Sequence, residues 1–147
     1  EIEFYAKISN QLNFEYTGSL GDYKFESFQF RENDFSNNIM PGIPKSQHNI
    51  RIRYKNDSNY NLVVGLKRVG RMFADNANKT EIEGHSLISI KMSKNLNIFE
   101  TSITPFISVD NLLSEKYFDN IRINAFGSRF YEPASGINIV GGLKINL

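Results

Sequence analysis

The chain ends in the run Ile137-Asn138-Ile139-Val140-Gly141-Gly142-Leu143-Lys144-Ile145-Asn146-Leu147. Apolar residues and Gly141 occupy its odd-numbered positions, whereas Asn138, Lys144 and Asn146 fall on even-numbered ones. Successive side chains of a β-strand point to opposite faces of a sheet. The run therefore predicts a strand with one apolar face and one mostly polar face.

The same alternation recurs in six earlier segments, which gives about seven strands in all. One face of these six carries Ile2, Phe4, Ala6, Ile8; Leu12, Phe14, Tyr16; His48, Ile50, Ile52, Tyr54; Leu62, Val64, Leu66; Ile88, Ile90, Met92; and Ile103, Pro105, Ile107, Val109. Because Pro105 has no N–H to donate, we expect the sheet to be irregular beside it.

Short turns and long polar loops connect these strands in strict alternation. We expect the turns at 9–11, at 56–59 and near Lys94-Asn95, and the loops at about 22–45, 70–84 and 113–135. Strands of roughly 9–11 residues cross a bilayer when tilted. Bacterial outer-membrane barrels keep tight turns on the periplasmic side and long loops outside. The predicted fold is therefore all-β, an antiparallel transmembrane β-barrel segment.

Composition narrows the function further. The 147 residues include 17 Lys and Arg and 16 Asp and Glu, which are spread along the chain and give a net charge of +1. The sequence therefore predicts no basic patch of the kind that binds nucleic acid. The chain has no cysteine, which excludes disulfides and thiolate metal sites. It shows no nucleophile beside a base and no phosphate loop, so we expect neither an enzyme nor a cofactor. Because it opens at Glu1 without a leader, we interpret the start as internal or processed.

Four segments resemble, in order, the C-terminal region of TonB-dependent outer-membrane receptors. They are Pro41-Gly42-Ile43-Pro44-Lys45-Ser46-Gln47; Ala74-Asp75-Asn76-Ala77-Asn78; Ser108-Val109-Asp110-Asn111-Leu112-Leu113 with Lys116-Tyr117; and Arg129-Phe130-Tyr131-Glu132-Pro133 with Gly136 and Gly141-Gly142-Leu143. The first forty residues agree in pattern only. Two positions depart from the family, which commonly has a basic residue at the position of Ile137 and an aromatic residue at the position of Leu147.

This resemblance implies that residues 1–147 are the C-terminal part of a plugged barrel of about 22 strands. The function implied is energy-coupled import of a ferric siderophore or a similar scarce nutrient across a bacterial outer membrane. The implied partners are the remaining strands and plug of the same receptor, the TonB system acting through that plug, outer-membrane lipid and a small-molecule metal chelate. Seven strands cannot close such a wall, so we predict that the chain functions only with the rest of the barrel.

Ligand contacts are expected in the loops, because a rigid wall displays variable binding groups there. The candidates are Arg31, Asp34, Arg71, Asp75, Arg129, Tyr131 and Glu132. Arg129 and Tyr131 suit a chelate carboxylate or catecholate through charge-assisted hydrogen bonds and stacking. An equally strong alternative is that residues 129–133 lock the last loop.

Other polar residues receive structural interpretations. We interpret His48 and His85 as interfacial or hydrogen-bonded rather than as metal ligands. We interpret Asp75, Glu81 and Glu83, with Asn76 and Asn78, as part of a solvated turn rather than a cation site. Five basic residues fall on the face assigned to the lumen, where we expect them to pair with the plug: Arg51, Arg53, Lys67, Lys91 and Lys144.

Two other functions stay open at this stage. Phe4, Phe14, Tyr16 and Tyr54 are expected near strand ends on the outward face, as an interfacial aromatic girdle would require. They also suit the core of a soluble all-β binding or adhesion module. In such a module the apolar face of the strands would pack against a second sheet. The third possibility is an inert remnant of a broken gene.

Overall fold

The computed structural model describes residues 1–129 and 131–146. Within them, the secondary structure consists of strands and one short 3₁₀ helix, Phe126–Ser128. The strands are β1 (Ile2–Lys7), β2 (Leu12–Leu20), β3 (Gln29–Phe30), β4 (Asn33–Asp34), β5 (Ser46–Lys55), β6 (Tyr60–Val69), β7 (Met72–Phe73), β8 (Glu81–Ile82), β9 (His85–Lys94), β10 (Leu96–Ile98), β11 (Thr101–Asp110), β12 (Phe118–Ile121), β13 (Tyr131–Pro133) and β14 (Asn138–Asn146).

Seven long strands form one antiparallel sheet in the order β1-β2-β5-β6-β9-β11-β14. Each pairs with its neighbours along the chain, so every connection is a hairpin. The all-β fold and the seven predicted strands are confirmed. The sheet is open: in the described part of the chain, β1 pairs with β2 alone and β14 with β11 alone. That part of the chain holds no helix with the length and hydropathy of a membrane span.

The register places one apolar row across all seven long strands. Cross-strand partners in this row are Ala6, Phe14, Ile52, Val64, Ile90, Val109 and Ile139. The adjacent row, on the opposite face, consists of Lys7, Asn13, Arg53, Val63, Lys91, Ser108 and Val140. The predicted division of the sheet into an apolar and a mostly polar face is therefore present, and both faces are continuous.

No second sheet covers the apolar face among the described residues. Ile139, Leu143 and Ile145 of β14 remain 61%, 67% and 57% exposed, and the predicted partner Leu147 lies outside the described residues. The buried apolar residues Val69, Ala74 and Ile82 lie instead at one edge of the sheet, beside the loops. A soluble sandwich would bury the apolar face between two sheets, which this chain does not do.

Short connections lie at one edge of the sheet. The amide of Ile8 donates a hydrogen bond to the Leu12 carbonyl and closes the turn before β2. The amide of Asn56 donates to the Tyr60 carbonyl and closes the turn after β5. The turn predicted at Lys94-Asn95 is misplaced: the hairpin continues through β10 and reverses at Phe99, whose φ is +55°. The side chain of Asn95 holds this extension to β11 by hydrogen bonds to Ser102 and Thr104.

The irregularity expected beside Pro105 is found. β9 pairs with β11 over Phe106–Val109, and β10 pairs with β11 over Thr101–Ile103, so Pro105 lies between two separate ladders. Its apolar side chain still falls on the predicted face, opposite Leu143. The sheet accommodates the missing donor by interrupting one ladder rather than by changing register.

The expected placement of four aromatic residues near strand ends is only partly observed. Tyr54 lies at the short-turn edge, opposite Leu62. Phe4 and Tyr16, however, are cross-strand partners within β1 and β2. Tyr60 lies at the short-turn edge on the same face and was not among the predicted aromatics.

Candidate ligand-binding surface

Three long loops lie at the edge of the sheet opposite the short turns. We call them loop 1 (21–45), loop 2 (70–84) and loop 3 (111–137). Loops 1 and 2 are joined through their backbones: the amide of Gly42 donates to the Phe73 carbonyl at 2.8 Å, and the amide of Lys45 donates to Arg71 at 3.1 Å. The loops therefore form one connected surface rather than three independent segments.

Asn78 of loop 2 links its loop to loop 1 most directly. Its side-chain oxygen accepts from the Ile39 amide at 2.7 Å, and its side-chain nitrogen donates to the Ile39 carbonyl at 2.8 Å. Its φ is +54°, a left-handed conformation that asparagine tolerates better than most residues. The nearby side chain of Asn38 donates to the Asn76 carbonyl at 2.8 Å. Asparagine side chains thus hold loop 1 and loop 2 together.

Asp75 organises loop 2 from within. One carboxylate oxygen accepts from the Lys79 amide at 3.1 Å and the other from the Thr80 amide at 2.7 Å. Partial burial acts to raise the pKa of Asp75, but hydrogen bonds from Lys79, Thr80 and Ala77 outweigh it and hold the pKa below its ordinary value. The carboxylate is therefore ionised and fully occupied in closing the loop.

Loop 3 reaches across to loop 2 through Asn124. Its amide donates to the Ala74 carbonyl at 2.9 Å, and its side-chain oxygen accepts from the Asn76 amide at 2.9 Å. Asn124 also has a positive φ, of +54°. Residues 74–78, one of the four resemblance motifs, are thus the hub at which the three loops meet.

The start of loop 3 is fixed by Asn111, which is 6% exposed. Its side-chain oxygen accepts from the Glu115 amide at 2.8 Å, and its side-chain nitrogen donates to the Glu115 carbonyl at 2.9 Å. Tyr117 then stacks on His85 of β9, with ring centroids 4.4 Å apart. Burial, followed by the charges of Asp119 and Asp110, raises the pKa of Tyr117. Loop 3 therefore folds toward the polar face, where the Tyr117 ring packs on His85.

A concave cavity of about 730 Å³ lies between loop 3 and the polar face of the sheet. Its lining includes Arg51, Lys67, Asp110, Tyr117 and Asn138. It carries both signs of charge, together with hydroxyl and amide groups that can donate and accept hydrogen bonds. Such a lining suits a polar ligand or a polar protein surface better than an apolar one.

Two of the basic residues on this face are already paired within the sheet. Glu15 of β2 contacts Arg51 at 3.3 Å and Arg53 at 3.1 Å. The prediction assigned both arginines to the polar face, where the register now places them, but it overlooked Glu15 as their partner. Cross-strand register decides this pairing, and alternation within one strand does not reveal it.

Comparisons with known proteins decide which fold this is. Neither a protein-family model nor a curated protein sequence matches the chain. Solved structures do. The siderophore receptor PiuA from Acinetobacter baumannii matches 98% of the chain with a TM-score of 0.78 and 16% identity, over 21% of its own length. The chain has the fold of a segment of a TonB-dependent receptor barrel.

Two further receptors give the same result. BauA, the ferric preacinetobactin receptor from Acinetobacter baumannii, matches 97% of the chain with a TM-score of 0.79 and 10% identity, over 20% of its length. FyuA, the ferric yersiniabactin uptake receptor from Yersinia pestis, matches 97% with a TM-score of 0.71 and 14% identity, over 22% of its length. The chain thus spans about a fifth of these receptors, and the resemblance found in the motifs is confirmed at the level of the fold.

The predicted contact residues of loop 1 lie on its small hairpin β3–β4. Arg31 has a φ of +57° and its guanidinium lies 5.2 Å from the Phe30 ring centroid. The Asp34 carboxylate accepts from the Ser36 hydroxyl at 2.6 Å and the Ser36 amide at 2.9 Å, which lowers its pKa. Arg31 is exposed and presents its charge to solvent.

Arg71 of loop 2 forms an exposed ion pair with Glu81 at 3.3 Å. The same segment carries Asp75, whose carboxylate closes the loop. Glu81 and Asp75 therefore face different partners, and within the described residues no group of three metal-binding side chains converges. The histidines have other contacts: His48 is hydrogen-bonded to the Tyr16 hydroxyl at 2.9 Å, and His85 stacks on Tyr117.

In loop 3, the short strands β12 and β13 pair with each other and hold two of the candidates. The Tyr131 ring lies 4.0 Å from that of Phe118, and Glu132 forms an ion pair with Arg122. Asn120 also donates to Glu132 at 3.3 Å. These contacts favour the alternative in which residues 131–133 lock the last loop. Arg129 is exposed at the end of the 3₁₀ helix.

The seven candidates therefore lie on one edge of the sheet but do not form a cluster. Within the described residues, 1–129 and 131–146, no hydrogen bond or ion pair joins two of these seven candidates. The residues that sequence reasoning missed are those that organise the surface: Asn78, Asn111, Asn124 and Arg122. The asparagines lie within or beside the resemblance motifs, and their type was the available signal, because Asn favours left-handed turns that expose its side chain to backbone groups.

Proposed function

We propose that the chain is the C-terminal wall segment of a TonB-dependent receptor in a bacterial outer membrane, which imports a ferric siderophore or a similar scarce nutrient. The observation that supports this most strongly is the shared fold with PiuA, BauA and FyuA over nearly the whole chain. These neighbours are, by name, receptors for siderophores or ferric chelates.

The apolar face supports a position in the membrane. A continuous apolar row that meets no second sheet is costly in water and favourable against hydrocarbon. Tyr54, Tyr60 and Lys94 lie at the short-turn edge of this face, and His48 and Arg68 lie at the loop edge. Aromatic and basic side chains of this kind favour the two membrane interfaces. We place the loops outside the cell and the short turns in the periplasm.

The two outer strands require partners from the rest of the receptor. In hydrocarbon each unpaired backbone group costs several kcal/mol, so β1 and β14 need neighbouring strands that close the wall. The polar cavity beside loop 3 likewise needs a polar filling. We assign these roles to the remaining strands and to the plug, through which the TonB system would act.

Ligand contact belongs to the loops and the upper part of the cavity. Of the predicted residues, Arg31, Arg129 and Tyr131 are exposed. They offer charge and stacking to an anionic iron chelate. Asp75 and Glu132 are engaged by backbone amides and by Arg122, so we propose that they hold the surface in shape.

The test is uptake of iron-55 as defined ferric siderophores by cells with the intact receptor gene and by cells with the gene deleted. We expect uptake of one chelate class to be lost on deletion and to depend on the proton gradient. Arg129→Ala should weaken uptake, whereas Glu100→Ala, at the short-turn edge, should not. Unchanged uptake of every chelate, with the protein in the aqueous phase of a detergent partition, would favour the soluble binding module instead.

A further inference from the structure

An apolar groove crosses the apolar face near the short-turn edge. It has a volume of about 480 Å³ and is lined by Tyr54, Tyr60, Leu62, Met92, Pro105 and Ile107. Met92 and Ile107 are cross-strand partners of β9 and β11, and both are about half exposed. The groove therefore runs along the junction of these two strands, on the side that we assign to lipid.

The groove coincides with the break in the sheet. The β9–β11 ladder stops at Phe106, and the β10–β11 ladder begins only at Ile103. Pro105 lies between them and has no N–H with which to continue either ladder. The groove therefore lies where Pro105 interrupts the ladder between β11 and the strands beside it.

A cation lies at the rim of the groove. The ammonium of Lys94 is 3.0 Å from the Tyr60 hydroxyl and 4.4 Å from the centre of the Tyr60 ring. Within residues 1–129 and 131–146 no carboxylate lies at salt-bridge distance from it. Lys94 and Tyr60 are cross-strand partners on the apolar face. The rim therefore offers a positive charge and a hydroxyl directly beside an apolar recess.

We propose that this groove binds one phospholipid of the periplasmic leaflet, with an acyl chain in the recess and the phosphate on Lys94. The chemistry is complementary at both ends: Met92, Pro105 and Ile107 bury hydrocarbon, and Lys94 with Tyr60 binds an anionic oxygen. The inference rests on the proposed function, because it requires the apolar face to meet a bilayer. It goes further because one lipid molecule is bound at a defined position, whereas the rest of the bilayer only solvates the apolar face.

The experiment is native mass spectrometry of the intact receptor in detergent, titrated with dioleoyl phosphatidylglycerol. Lys94→Gln removes the charge, and Ile107→Trp fills the recess while leaving the charge in place. Lys91→Gln is the matched control, because Lys91 lies in the same strand on the opposite face, beside Phe106. Dioleoylglycerol, which lacks the phosphate, and inorganic phosphate alone separate the contributions of chain and headgroup.

We expect the unmodified receptor and Lys91→Gln to retain one phosphatidylglycerol with equal affinity. Lys94→Gln should weaken retention about fivefold, the usual effect of one basic residue at a membrane surface. Ile107→Trp should weaken both phosphatidylglycerol and dioleoylglycerol, and inorganic phosphate alone should not bind. Equal retention by Lys94→Gln, Ile107→Trp and the control would overturn the proposal, as would a bound protein in place of lipid.

Failure of this inference is distinguishable from failure of the proposed function. If the receptor inserts into membranes and imports its chelate, but retains lipid equally well after substitution of Lys94 or Ile107, only the lipid-binding groove is contradicted. A protein that never enters the membrane fraction contradicts both. Lipid retention without chelate uptake would leave the groove supported and contradict the transport role.

Discussion

At the scale of single residues, asparagine explains how the chain makes its many reversals. Five residues with a left-handed backbone conformation in the described structure are Asn37, Asn59, Asn78, Asn111 and Asn124. Asparagine tolerates this conformation because its short side chain can hydrogen-bond nearby backbone groups. These five asparagines therefore serve to reverse the chain.

Glycine at position 84 is required by a close backbone contact. A Cβ added there would lie 2.5 Å from the Val69 carbonyl oxygen and 3.1 Å from the Arg71 amide nitrogen. Because these atoms are backbone, they cannot move aside cheaply. We predict that Gly84→Ala lowers the free energy of unfolding by about 1–3 kcal/mol, measured by urea titration of the receptor in lipid vesicles.

The matched control is Gly141→Ala, on the apolar face of β14. A Cβ there would meet the nearest atom, the Phe106 carbonyl oxygen, at 3.8 Å, which is an ordinary contact. We expect its stability to remain within about 0.5 kcal/mol of the unmodified protein. Equal losses in the two variants would contradict the assignment of the strain to the loop 2 backbone.

Asp75 gives loop 2 a defined pH dependence. Its pKa in the folded state lies below its ordinary value of 3.8. A depressed pKa contributes stability that is present above the ordinary pKa and is lost as pH falls through the folded one. We predict that Asp75→Asn costs about 0.5–1.5 kcal/mol at neutral pH and that the difference shrinks as pH falls below about 4. Thermal unfolding at a series of pH values checks this. A difference that persists in acid would show that the carboxylate charge is not what closes the loop.

At the scale of elements, alternation within each strand predicted the sheet because it is a local property. Each of the seven long strands could be recognised from its own residues, and so could the order of short turns and long loops. The extension through β10 was missed because it depends on Asn95 contacting Ser102 and Thr104 across the hairpin. The pairing of Glu15 with Arg51 was missed for the same reason: it is set by register between strands.

The candidate site was less predictable than the sheet. Loops appeared in the sequence as polar segments, but the contacts that join them connect residues far apart, such as Asn78 and Ile39. Sequence reasoning selected charged residues as ligand contacts, and the structure engages Asp75 and Glu132 within the loops themselves. Charge alone does not distinguish a binding group from an anchor, because both use the same hydrogen bonds.

The link between loops 1 and 2 can be tested through Asn78. We predict that Asn78→Gly, which keeps the left-handed backbone favourable, removes the two hydrogen bonds to Ile39 and speeds hydrogen exchange at the Ile39 amide about tenfold. The strands should keep their protection. Exchange measured by mass spectrometry on the receptor reads both regions at once.

Asn37→Gly provides the control, because Asn37 has the same residue type and a φ of +66° in loop 1. Its backbone amide donates to the Phe25 carbonyl, a bond that the substitution retains. We expect exchange at Ile39 to be unchanged in this variant. If both variants loosen loop 1 to the same degree, the side chain of Asn78 does not join the loops.

Taken together, the described residues form an open sheet with two chemically different sides and little interior. The buried apolar residues lie near the loops, and the largest apolar surface is uncovered. A domain of 147 residues that folded alone would bury most of that surface. Under the proposed function, hydrocarbon covers one side of the sheet, polar protein the other, and further strands pair with both edges.

In the proposed membrane position, every second side chain of a strand meets hydrocarbon while its neighbours meet water. A spin-label scan of β6 in the receptor in vesicles tests this, with single cysteines at Asn61, Leu62, Val63, Val64, Leu66 and Lys67. We predict that labels at 62, 64 and 66 collide with oxygen dissolved in the bilayer, and that labels at 61, 63 and 67 collide with a water-soluble nickel chelate. Loss of this alternation, or greater nickel access at 62, 64 and 66, would contradict it.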